Sequence, residues 1–120
     1  MADGLTISIP IVGRGRGLVV DDEAPNRRFF CDLLQPIGFT VIQAADGDEA
    51  LVMVAQERPD VVLLDAIMPN LDGLEVCRRI KDNPETASIQ VLMVTALADR
   101  KNRLRGIECG ARDFLSKPID

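Results

Sequence analysis

Five side chains with the makings of a reaction centre are spread along this chain: Asp21, Asp22, Asp65, Thr95 and Lys117. Each position follows a short apolar run. Leu18-Val19-Val20 precedes the two acids, Val61 to Leu64 precedes Asp65, Val91 to Val94 precedes Thr95, and Phe114-Leu115-Ser116 precedes Lys117. Apolar runs without alternation suit strands buried on both faces, as in a parallel sheet covered by helices. In such a sheet the strand ends share one rim, so residues far apart in sequence converge there. Three carboxylates, a hydroxyl and an ammonium on one rim suit phosphoryl transfer. Clustered carboxylates repel one another, and a hard divalent cation such as Mg2+ relieves that repulsion. The cation also neutralises phosphoryl oxygens, while one carboxylate attacks in line and becomes an aspartyl-phosphate. Lysine offers a compact charge, and threonine a donor, to the transferred group.

The elements that must position these residues follow a repeating order. Glu23 to about Ile37 is expected as a helix, with Phe30, Leu33, Leu34 and Ile37 on its inward side and Gly38 as its stop. Residues 40–44 form a second strand, which ends in Ala44-Ala45 without chemistry, as an outlying strand would. Asp46 and Glu49 have the form of a capping box and open a helix with Leu51 and Val54 inward. A third helix is expected over residues 73–81, capped by Asp72, with Leu74, Cys77 and Ile80 on one side. A fourth is expected over residues 99–109, carrying a thin stripe of Leu104 and Ile107 and a basic outer side (Arg100, Lys101, Arg103, Arg105). Met68 and Met93 read as packing residues. Repeated strand–helix units imply right-handed crossovers and a parallel sheet with helices on both faces.

Composition narrows the function. The 120 residues suffice for one domain, and 47% are hydrophobic with only four Phe and no Trp or Tyr, which favours an aliphatic α/β core. The net charge of −5 argues against direct nucleic-acid binding, which needs cations against phosphate. The absence of histidine excludes His-ligated zinc and histidine general-base chemistry. Cys31, Cys77 and Cys109 are an odd, scattered set that reads as reduced core residues in a cytoplasm. No stretch reaches the ~18 apolar residues needed to cross a membrane. No basic residue precedes the apolar N-terminal patch, so it does not read as a signal peptide.

The segments Leu18-Val19-Val20-Asp21-Asp22-Glu23, Asp65-x-x-Met68-Pro69-x-x-Asp72-Gly73, Val94-Thr95-Ala96 and Lys117-Pro118 together resemble the receiver domains of two-component response regulators, across residues 18–118. The resemblance implies a doubly wound, five-stranded parallel sheet of order 2-1-3-4-5, the flavodoxin-like arrangement that receivers share. It implies Asp65 as phospho-acceptor, with Mg2+ (or Mn2+) held by Asp21, Asp22, Asp65 and the backbone carbonyl of Ile67. It implies Thr95 and Phe114 as the switch that alters the helix 4–strand 5 face, Lys117 as the phosphate partner, and a cis Lys117-Pro118 bond as in many relatives. The phosphodonor would be a histidine kinase or histidine phosphotransfer protein, and an output domain or protein would read the result. Such a domain catalyses its own phosphorylation and dephosphorylation without being a conventional enzyme. The alternative is a Mg2+-dependent phosphatase or phosphotransferase that uses an aspartyl-phosphate on a substrate of its own.

Two departures from the pattern are expected. Residues 1–17 form an atypical leader, either a tail or an extra edge strand, with the Gly-Arg repeat as loop. Residues 18–120 form a receiver lacking its fifth, C-terminal helix, and the face this leaves open would favour a homodimer.

Overall fold

The computed structural model describes residues 15–95 and 113–116. Strand β1 (Gly15–Val20) leads into helix α1 (Ala24–Leu34), a 3-10 turn (Gln35–Ile37) and β2 (Phe39–Ala44). Helix α2 (Gly47–Glu57), β3 (Val61–Asp65), α3 (Gly73–Asp82), β4 (Gln90–Thr95) and β5 (Asp113–Ser116) follow. The strands form one parallel sheet of order β2-β1-β3-β4-β5, with β2 at one edge, as expected.

The apolar runs make this sheet because alternate side chains enter two different cores. Leu18, Val20, Val62, Leu64, Val91 and Met93 pack with Ala50 and Val54 of α2 and with Leu74, Val76, Cys77 and Ile80 of α3. Val19, Val61, Leu63, Leu92 and Val94 face the other way, onto Phe30, Cys31 and Leu34 of α1. A strand lined with apolar residues on both sides has no solvated face, so helices must cover both. Every residue of β3 is buried. Burial pushes the Cys31 thiol up, and neighbouring Asp32 adds to the shift, as suits a structural cysteine.

Caps fix where the helices start. Asp46 accepts the Glu49 N–H at 2.8 Å, while Glu49 accepts from Ala45 at 2.7 Å, one residue before the position of a strict capping box. Asp72 accepts the Glu75 N–H at 2.9 Å, so it caps α3 as expected. The outer side of α3 pairs Glu75 with Arg78 and Arg79, and those hydrogen bonds, Arg78 foremost, hold the Glu75 carboxyl below its ordinary range.

Three expectations need correction. Helix α1 stops at Leu34, because Pro36 has no N–H to continue the ladder, and Gly38 (φ 105°) turns the chain out. Ile37 is therefore 49% exposed rather than inward, and Cys31 takes a place in the core. Gly15-Arg16-Gly17, expected as loop, is strand. Its backbone pairs with Phe39 to Val41, and Arg16 exchanges hydrogen bonds with Asp60 at 2.9 Å each way. The expected fourth helix, the Lys117-Pro118 bond, residues 1–14 and the chain after Ser116 lie outside the described residues. No helix among the described residues is long and apolar enough to cross a membrane.

Candidate functional site

The sheet register brings the acids together. Val20 pairs with Leu64, so the next residues, Asp21 and Asp65, leave adjacent strands side by side. Asp21, Asp22 and Asp65 each offer an oxygen within 4.8 Å of the others. Asp21 and Asp65 are each 1% exposed, whereas Asp22 is exposed. A span of 4.8 Å is close to the roughly 4 Å between opposite ligands of a Mg2+ ion bound at about 2.0–2.1 Å. The donors are all hard oxygens, which fits Mg2+ or Mn2+ and not a thiophilic metal.

Local backbone geometry aims each carboxylate. Asp21 N–H donates to the Ala44 carbonyl at 3.2 Å, extending the β1–β2 ladder by one residue. Its Oδ1 accepts the Glu23 N–H at 2.9 Å, a tight turn that precedes α1 rather than capping it. Asp65 Oδ1 accepts the Ile67 N–H at 3.2 Å. The loop after Asp65 is itself closed: Ala66 N–H donates to Val94 at 2.9 Å, and Gly73 N–H donates to Ala66 at 3.0 Å. Asn70 takes the left-handed conformation (φ 69°), which its short amide tolerates, and Met68 is buried as packing. Ile67, the expected carbonyl ligand, is 56% exposed beside the acids.

Thr95 is the last residue of β4, one beyond Val94, the partner of Asp65. Phe114 lies in β5 opposite Met93, and Ser116 pairs with Thr95. Lys117 lies outside the described residues. The sequence reading missed Arg27. Its Nη1 donates to the Asp21 carbonyl at 2.6 Å and its Nε to Gln43 Oε1 at 3.2 Å. The available signal was a cation in the inward stripe of α1, at the 27–30–34 spacing shared with Phe30 and Leu34.

A parallel sheet in this order, with three acids at the ends of its first and third strands, is the framework of a signalling receiver. The chain belongs to the response regulator receiver domain family, whose family model matches residues 18–120. It is similar to the response regulator PleD of Caulobacter vibrioides, with 49% identity over 88% of this chain and 23% of PleD. The chain spans less than half the length of the curated relatives it matches. Among solved structures it resembles a putative response regulator from Chloroflexus aurantiacus, at 34% identity and TM-score 0.84, covering 89% of this chain and 88% of that one. It also resembles the Mn(2+)-bound form of response regulator Rcp1, at 27% identity and TM-score 0.79, covering 88% and 83%.

Proposed function

We propose that this receiver is a phosphorylation switch in which Asp65 takes a phosphoryl group from the phosphohistidine of a histidine kinase or phosphotransfer protein in the cytoplasm. One observation carries the reading: a buried acid at the end of the central strand, with two further acids within 4.8 Å. Asp21, Asp22, Asp65 and the Ile67 carbonyl would hold Mg2+, and the Mn(2+)-bound form of the similar response regulator Rcp1 supports a divalent cation here. When bound, the cation supplies positive charge against the carboxylates and the phosphoryl oxygens.

The chain's own residues do the rest. A carboxylate oxygen of Asp65 attacks phosphorus, and the phosphorus–nitrogen bond breaks with its electron pair going to the imidazole nitrogen. The product is an acyl phosphate on Asp65. The closed loop from Ala66 to Gly73 keeps the Asp65 main chain from recoiling. The donor reaches the acid on the side flanked by exposed Asp22 and Ile67. Lys117 and the Thr95 hydroxyl would bind the oxygens that arrive, drawing Thr95 inward and Phe114 with it. That movement would present a changed β4–β5 side to an output domain or protein. Water later attacks the acyl phosphate and resets the switch.

Acetyl phosphate tests this without a kinase. Intact-mass analysis should find a phosphoryl adduct that forms with Mg2+ and is absent with a chelator. Asp65→Asn should abolish it, and an Asp65→Asn protein labelled as well as the wild type would overturn the assignment.

A further inference from the structure

Resting on the reading of Asp21, Asp22 and Asp65 as a cation site, we infer that Arg27 is a positioning residue for that site, acting through the peptide bond between Asp21 and Asp22. The orientation of this peptide decides where the exposed Asp22 side chain starts relative to the two buried acids. Its carbonyl oxygen receives Arg27 Nη1 at 2.6 Å, a short charge-assisted hydrogen bond. The same guanidinium is anchored by Nε to Gln43 Oε1 at 3.2 Å, one residue before Ala44, whose carbonyl receives the Asp21 N–H. Arg27 thus spans from α1 to the end of β2 and grips the site between them. The Glu23 N–H fixes the Asp21 carboxylate from the other direction. Asp21 is set by the ladder and the turn, and Asp22 by the guanidinium.

Charge and geometry make opposite predictions for this residue. A guanidinium close to the acids opposes a cation by Coulomb repulsion, so if charge were its main influence, removing it would tighten cation binding. If its fork holds the Asp21–Asp22 peptide in the binding orientation, removing it weakens binding, although the site becomes more negative. Lysine separates the two, since it keeps the charge but cannot hold Gln43 and the carbonyl with a planar fork. The geometry points to the second effect as dominant, because Asp22 is exposed and depends on that peptide for its direction.

The experiment is calorimetric titration of the full chain with Mg2+ or Mn2+, alongside urea unfolding. Arg27→Gln and Arg27→Lys should both bind the cation roughly tenfold more weakly, the scale at which supporting residues act on metal sites. Gln43→Ala, which cuts one anchor only, should lose less, and its surface position keeps the fold testable should Arg27→Gln unfold. Phosphorylation by acetyl phosphate should return to the wild-type rate at saturating Mg2+, shifting the half-saturating concentration rather than the maximum. A folded Arg27→Gln protein that binds as tightly as the wild type, or more tightly, overturns the inference alone. A lowered urea midpoint with unchanged cation affinity does the same, because it marks a merely structural role. A wild-type chain that binds neither cation overturns the inference together with the reading beneath it.

Discussion

Gly73 shows how tightly a single residue can constrain Asp65, the proposed acceptor. A Cβ there would overlap the Asp65 carbonyl oxygen and lie 2.8 Å from its carbon and 3.0 Å from Ala66 Cα. These are backbone atoms at the end of a fully buried strand, so they cannot step aside as a flexible side chain would. Gly73→Ala should cost about 1–3 kcal/mol of stability, the usual range for forcing volume into a packed site. It should also slow acetyl phosphate labelling, because the strain falls on Asp65 itself. Denaturant unfolding and intact-mass kinetics measure the two effects, and unchanged labelling would show that the loop absorbs the methyl group. The Asp72-Gly73 pair was legible in the sequence as a helix start, but this contact was not, because it joins the helix start to a strand end several residues earlier. Asp21, Asp22 and Asp65 were legible because each directly ends an apolar run. Arg27 was not, since its partner is a main-chain carbonyl, and a carbonyl has no sequence signature.

At the scale of elements, caps decide where helices begin, and they should be separable from the acids at the rim. Asp46 and Asp72 each satisfy the N–H three residues on, at 2.8 and 2.9 Å. Replacing either with alanine should remove about 1 kcal/mol, the usual worth of such a cap. The cation affinity should stay unchanged in both. A loss of affinity in Asp72→Ala comparable to that in Asp22→Ala would show that Asp72 contributes to the proposed metal site as well as to α3. The strands and the three described helices followed from period and punctuation, whereas the strand order followed from the resemblance to receiver domains. The end of α1 was misjudged where two signals competed. Leu33, Leu34 and Ile37 continue the helical spacing, but Pro36 removes the N–H on which that spacing depends, and the covalent constraint wins. Gly15 to Gly17 was misjudged for the reverse reason. Glycines carry no side-chain pattern, yet their backbone pairs with β2 and is held by Asp60.

The molecule as a whole has stability and function at odds on one rim. Its two cores bury uncharged strands, while the site gathers three carboxylates in a chain already at net charge −5. Two unit charges 4.8 Å apart repel by about 3.5 kcal/mol at an effective dielectric near 20, and by less where one is exposed, as Asp22 is. Asp22→Asn should therefore raise the stability of the cation-free protein. It should also remove most of the stabilisation that Mg2+ confers on the wild type. A cation that binds only the folded chain adds about 1.4 kcal/mol when its concentration is ten times its dissociation constant. Urea midpoints of both proteins, with and without Mg2+, measure the two effects together. The wild type should start lower and gain with the ion, and the variant should start higher and gain little. Equal gains in both would mean that Asp22 does not share the cation. A lower starting midpoint in the variant would mean that the acids are already held by attractive contacts stronger than their mutual repulsion.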